Sequence, residues 1–307
     1  SSHLPNLGID AKWIQNGITV AGGSGQGNGN NQLFNPYSMY IDEDETMYIA
    51  DFSNHRIVEW KRDAPNGQIA AGGNGAGNQD NQLNGPTSVI VDKVNDCFII
   101  SDRGNERIIR WPRQNGRSGQ TIISNINCLG LAMDNEGYLY VCDYVKHEVR
   151  RWKMGDTNGI VVAGGNGQGN RADQLNQPWS IFVDEEKSLY VSDNGNHRMM
   201  KWVKDAKEGI LVAGGQGQGK ELTQLCYPRG VVVDRLSNVY VADQGNCRVT
   251  RWRKHAAQGS IIVGDIRPGT EANQLSGPLD LSFDQQGNLY VVDHKNHRVQ
   301  KFNIDST

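Results

Sequence analysis

Tyr190-Val191-Ser192-Asp193-Asn194-Gly195-Asn196-His197-Arg198-Met199-Met200-Lys201-Trp202 is the stretch on which the fold turns. It runs as an apolar pair, an Asp, a short polar loop, Asn-His-Arg, and then alternating residues that end in an aromatic. Five further copies obey the same rule, with aspartates at Asp51, Asp102, Asp143, Asp243 and Asp293. With Asp193 included, the spacings are 51, 41, 50, 50 and 50 residues, so the chain repeats a unit of roughly 50 residues. A period sustained over the 307 residues argues for one closed assembly rather than two domains.

Working outward, the run after each terminal aromatic is short, β-like and glycine-bounded: residues 67–73, 159–165, 209–215 and, in altered form, 259–265. The same run stands at residues 17–23 with no motif before it, while the last motif copy, residues 290–302, is followed only by residues 303–307. The strand missing at one end is therefore present at the other, and residues 17–23 are predicted to pair with the strand around 297–302. A ring of blades closes in that way, one sheet taking a strand from each end so that no edge stays open. Between units lies a turn-rich stretch such as Gly164-Gly165-Asn166-Gly167-Gln168-Gly169-Asn170, which leads to Gln174-Leu175 and, three residues later, Pro178. Leu33, Leu83, Leu175, Leu225 and Leu275 are expected to plug each loop onto the body. The proline opens the next strand, at a position that needs no ladder donor. Each unit thus reads as four strands, and six units make an all-β, six-bladed β-propeller of four-stranded antiparallel blades, with an N-terminal strand completing the last blade. Residues 1–12 are read as an N-terminal extension or expression remnant, 13–302 as a single propeller, and 303–307 as a C-terminal tail.

The bulk properties agree. A hydrophobic content of 37% with 37 glycines suits short strands that bury one face and turns that need positive backbone angles. A net charge of -3 gives no overall pull toward nucleic acid or an anionic membrane, and no apolar run is long enough to cross a bilayer. Cys97, Cys128, Cys142, Cys226 and Cys247 are an odd number with no C-x-x-C pair, which fits separate thiols better than a zinc site or a disulfide framework, although a single bridge stays open.

The repeated pattern, seen at residues 287–302 as Gly-Asn-Leu-Tyr-Val-Val-Asp-x-x-Asn-His-Arg-Val-Gln-Lys-Phe, resembles the NHL-repeat family. Asn-His pairs stand at 54/55, 196/197 and 296/297, and Gly-rich loops that end in Gln-Leu before a Pro belong to the same resemblance. Departures are Asn105-Glu106, Asn246-Cys247 and Lys146-His147-Glu148. The resemblance spans residues 13–302 and implies a six-bladed propeller. It also brings in propeller lyases and hydrolases with a metal in the channel, and RNA-binding domains of translational regulators.

Repetition argues against a catalytic role for the six aspartates and for Arg56, Arg107, Arg198, Arg248 and Arg298, because one substrate meets one nucleophile and one base. These residues are read as structural, an Asp bracing a tight turn and pairing with Arg. Blade three carries Glu148 in place of the Arg, so its turn needs another brace, with Lys146 the candidate. His55, His147, His197 and His297 occupy equivalent positions spread round a ring, whereas metal ligands must converge on one ion. No catalytic residue, metal site or cofactor is expected from these motifs. Trp60, Trp111, Trp152, Trp202, Trp252 and Phe302 are read as packing between blades, and Trp13, without a counterpart, as rim packing.

What varies against this uniform background is the candidate ligand site. At the channel mouth, the residue after each Pro or its equivalent is Tyr37, Thr87, Leu129, Trp179, Arg229 or Leu279, with Asp280 beside it. The residue after each Asp is Phe52, Arg103, Tyr144, Asn194, Gln244 or His294. Trp, Tyr and Arg are the types that anchor interfaces. The spacing of 41 before Asp143 removes one Gly-rich loop and predicts a notch between blades two and three, flanked by Arg103 and Tyr144. The leading expectation is a non-enzymatic binding or scaffold module for a protein, peptide or glycan partner. A metal-dependent channel lyase or hydrolase is the alternative, although Asp280 and Arg229 bring no His cluster with them. Single-stranded RNA binding is a third reading, against which Asp173, Glu221 and Glu271 oppose Arg103, Arg171 and Arg229 on the loop face.

Overall fold

The computed structural model describes residues 7–265 and 267–305. The readings made above for residues 1–6 and 306–307 lie outside them. Six four-stranded antiparallel sheets stand in a ring, and the innermost strands of successive blades touch all the way round. Blade one, for example, runs Pro36–Ile41, Met47–Asp51, Arg56–Trp60, Gln68–Gly72 from channel to rim. Closure is by Ile18–Gly22, which pairs antiparallel with Arg298–Phe302 in the register Ile18 to Lys301, Thr19 to Gln300, Ala21 to Val299 and Gly22 to Arg298. Both edges of the seam are thereby filled.

Alternation along the strands builds six apolar clusters, each between two neighbouring blades. Ile57 faces blade two with Val89, Ile100 and Trp111, whereas Val58 and Trp60 face blade six with Val292 and Val299. The six motif aromatics are all buried in such clusters. Trp13 is not on the rim: it is buried between blades five and six, stacks on Phe283 at 5.8 Å, and donates its indole N–H to the Gly287 carbonyl at 2.9 Å. The five cysteines are free thiols.

The repeated polar motif joins loop to blade. In blade one, Asp51 accepts the Phe34 amide at 2.7 Å, the Asn54 side chain at 2.8 Å and the Arg56 Nε at 2.8 Å. The same guanidinium reaches on to the carbonyls of Asn28, Gly29 and Gln32. Arg107, Arg198, Arg248 and Arg298 do likewise for the loops that lead into their own blades. Blade three is reached through residues 125–127 alone, so it offers no such carbonyls. Its Asp143 instead takes the Val145 and Lys146 amides, with the Lys146 ammonium 3.9 Å away, and Glu148 pairs with Arg150. The missing Arg and the missing loop are one change.

The histidine of the motif points the other way, to the following blade. It has a left-handed backbone, and its Nδ1 accepts an amide: Gly85 for His55, Gln177 for His147, Tyr227 for His197 and Asn35 for His297, at 3.0 to 3.2 Å. Accepting there requires a neutral ring. This explains why blade three keeps His147 while losing the Arg.

Candidate functional site: the channel mouth

On the face that carries the Asp-x-x-Asn turns and the Gly-rich loops, side chains from five blades meet over the channel. Tyr37 of blade one stacks on Phe52 with ring centroids 4.3 Å apart and planes 21° apart. Its ring also lies nearly parallel to Trp179 of blade four, across the channel, at 5.9 Å and 23°. Arg229 of blade five lays its guanidinium 3.4 Å from the Trp179 ring centroid, well inside the range of a cation–π contact. Tyr144 and His294 approach edge-on, to Trp179 at 6.2 Å and to Tyr37 at 5.3 Å. The stack Phe52, Tyr37, Trp179, Arg229 therefore spans the mouth. Offset and edge-to-face rings of this kind add roughly 0.5–1.5 kcal/mol per pair beyond their buried area.

The electrostatics of the cluster are one-sided. Burial pulls the Arg229 guanidinium down to about 10, and the neighbours acting against that shift are the Tyr37, Tyr144 and Tyr227 hydroxyls rather than a carboxylate. Its Nε and Nη1 are buried with no hydrogen-bond partner among the described residues. Burial raises the Tyr37 phenol, while Arg103 and then Arg229 pull it back. Burial likewise lowers His294, whose Nδ1 lies 3.1 Å from the Pro36 carbonyl oxygen.

Below the stack lies a cavity of about 130 Å³ lined by Tyr37, Trp179, Ser38, Ser88, Gly130, Ser180 and Asp280 among others. Asp280 is the acid there: its Oδ2 accepts the Met39 amide at 3.0 Å, and burial pushes its carboxyl up to about 7 against amide bonds from Met39 and Leu281. Ser38 Oγ is buried without a hydrogen-bond partner among the described residues. Among the described residues no three His, Cys, Asp or Glu side chains converge as a metal site would need.

Of the thirteen candidate positions, Tyr37, Phe52, Tyr144, Trp179, Arg229 and His294 form this cluster, Arg103 lies near Tyr37, and Asp280 lies beneath it. Thr87, Leu129, Asn194 and Leu279 are buried. Thr87 hydrogen-bonds Ser101 and the Cys128 carbonyl, and Asn194 donates to the Pro228 carbonyl of the next blade. Gln244 is half-buried, its carbonyl taking the Cys247 amide. Sequence reasoning passed over Tyr227, which packs edge-on against His197 at 4.7 Å beside Arg229. It also passed over the ring formed by Ser38, Ser88, Gly130, Ser180 and Gly230 with Asp280. The signal for that ring was present: in register, five of the six second residues after the Pro position are small and one is acidic.

A closed ring of six such blades with one decorated mouth defines a class of protein rather than an activity. The NHL repeat profile matches residues 225–252 and 275–302, so blades five and six of this six-bladed β-propeller carry NHL repeats. No curated protein sequence matches it significantly. Among solved structures it is similar to an auxiliary nutrient binding protein from Bacteroides thetaiotaomicron, with 15% identity, a TM-score of 0.73, and coverage of 97% of this chain and 78% of that one. It is similar also to a streptogramin B lyase, with 12% identity, a TM-score of 0.56, and 88% and 94% coverage. A third is a gluconolactonase from Xanthomonas campestris, with 13% identity, a TM-score of 0.66, and 97% and 91% coverage. At these identities the likeness is one of fold.

Proposed function

We propose that the protein is a binding module, without catalysis, that holds a protein, peptide or glycan partner on its Gly-rich-loop face and channel mouth. The observation that carries this reading is the stack of Phe52, Tyr37, Trp179 and Arg229 across the mouth. Each blade repeats its Asp and its core aromatic, yet no two blades share the same pair of residues at the two mouth positions, and these positions gather Trp, Tyr and Arg, the types that dominate binding energy. The solved nutrient binding propeller is consistent with such a use of the fold. RNA is set aside because Arg171 on the loop face is engaged by Asp173 at 3.0 Å, and Arg103 and Arg229 alone are too few cations to neutralise a run of phosphates. The test is a glycan and peptide array probed with the wild-type protein and with the double variant Trp179→Ala, Arg229→Ala. Binders of the wild type are expected to be lost by the variant while its thermal unfolding changes little. Binders that both proteins retain would place the partner surface elsewhere.

Asp280 favours a second reading, an enzyme using a channel carboxyl poised near neutrality as general acid or base. Hydrolysis of glucono-lactone by the purified protein, abolished in Asp280→Asn, would support it. Equal rates for the two proteins would remove it.

A further inference from the structure

Arg229 differs from every repeated arginine of the chain. Arg56, Arg107, Arg198, Arg248 and Arg298 each have a carboxylate within 2.8 Å and loop carbonyls on their remaining nitrogens. Among the described residues Arg229 has neither: Nε and Nη1 are buried and unbonded, and the Trp179 ring lies against the cation. A desolvated cation without a counter-charge is costly, and proteins ordinarily keep buried charges paired. The carboxyl that lines the cavity below, Asp280, is turned onto the Met39 and Leu281 amides, and Arg229 is not among the groups acting on it. The side chains that act on the guanidinium are instead the phenols of Tyr37, Tyr144 and Tyr227. A second cation, Arg103, is close enough to act on Tyr37. The mouth is therefore cationic and aromatic, and Asp280 in the cavity below is engaged by amides.

We infer that the mouth selects ligands bearing a carboxylate, which the Arg229 guanidinium receives, with Arg103 as a second positive neighbour and the Tyr37 and Trp179 rings as the surface for the rest of the ligand. A guanidinium takes a carboxylate through charge-assisted N–H bonds. The Trp179 ring against Arg229 holds the cation in position before the ligand arrives, which limits the ordering cost of binding. This rests on the proposed use of the mouth as a binding site and adds the chemistry it selects. A uronic acid and the C-terminus of a peptide share that chemistry.

Two matched pairs of probes separate the possibilities: glucuronate against glucuronamide, and hippurate against hippuramide, each followed through the Arg229 Nε–H and Trp179 indole signals by NMR. The expected result is saturable binding of at least one acid at millimolar concentration, with a preference of about tenfold or more over its amide; a charge-assisted hydrogen bond supports a difference of that size. Which acid is preferred tells whether a sugar or a chain end is the source. Arg229→Gln is expected to erase the preference while its melting temperature stays level or rises, because an unpaired buried charge is removed. Equal binding of acid and amide, or an undiminished preference in Arg229→Gln, overturns the inference and leaves the mouth as a site for neutral ligands. A marked fall in the melting temperature of Arg229→Gln also overturns it, making the arginine structural. Absence of any change at the Trp179 and Arg229 signals with all four probes overturns the inference and counts against the binding-site reading as well.

Discussion

Asp280 stands where the other blades carry Ser38, Ser88, Gly130, Ser180 and Gly230, and one residue in that ring changes how stability follows pH. Its carboxyl has moved from an ordinary value near ~3.9 up to about 7 because burial disfavours the charged form. The folded state then holds the proton more tightly than the unfolded chain, so this residue's contribution is intact below about pH 4 and is lost as pH rises toward 7. Asp280→Asn retains an oxygen for the Met39 amide and removes the titration. Urea unfolding should find the variant and the wild type alike at pH 4. At pH 8 the variant should be more stable, by roughly 4 kcal/mol as an upper bound for a shift of this size. A difference that does not grow between pH 4 and 8 would mean that the carboxyl is solvated. The repeated carboxylates behave differently although burial also raises Asp51, Asp193, Asp243 and Asp293. Each of those is fully hydrogen-bonded by an amide, an Asn and an Arg, the arrangement in which a buried ion pair costs least.

The blade with its leading loop is the next scale up, and there the polar motif and the leucine plug act as one clamp. Leu225 is fully buried, and Gly214, at φ +67, leaves the space it needs: a Cβ there would lie 2.9 Å from Leu225 Cδ1 and 2.7 Å from the His197 carbonyl. Arg248 then ties the same loop down through Lys220, Glu221 and Gln224. Leu225→Ala should cost about 2–5 kcal/mol, and Arg248→Ala about 3–5 kcal/mol by leaving Asp243 buried and short of its partner. Because both hold one loop, the double variant should lose less than the sum, which a double-mutant cycle in urea would show. Strict additivity would mean that the loop is held at two independent points. The parts of this clamp were legible in the sequence because strand alternation, turn residues and the Gln-Leu anchor are local signals. Its bonds were not, since Arg56 reaches carbonyls 24 and 28 residues earlier in the chain. That is why the notch before blade three and the replacement of its Arg by Glu148 read as two oddities. The mouth was legible in the same partial way: aligning the repeats located its positions, but register alone does not say which side chains are covered, and Thr87, Leu129, Asn194 and Leu279 lie beneath their neighbours.

At the scale of the molecule, the ring decides what meets what. Tyr37 and Trp179 belong to opposite blades and touch only because six units complete the circle, a fact no local window of sequence contains. Closure also sets the stability of the last blade. Gly17 donates its amide to the Ala272 carbonyl, Ile18–Gly22 covers the edge of Arg298–Phe302, and Asp305 donates its amide to Lys12 to continue the seam. Ala21 is buried with Val299 and Leu33, so the closing strand belongs to the blade six and blade one cluster as well as to its own sheet. Deleting residues 7–23 would uncover that cluster, expose a strand edge and leave Trp13's place between blades five and six empty. The loss should exceed that of any single substitution above and spread to the mouth, because Tyr37 and His294 sit on the two blades that the seam joins. The check is a pair of proteins: the deletion, and a circular permutant that links residues 305 and 7 through a short glycine-serine tether and opens within the Gly-rich loop at residues 166–173. The permutant keeps every seam, so it should unfold in one transition near the wild-type temperature and keep the Trp179 and Arg229 signals of the mouth. The deletion should melt early, expose apolar surface to a hydrophobic dye and lose those signals. Equal melting of the deletion and the wild type would show that inter-blade packing alone holds the ring shut.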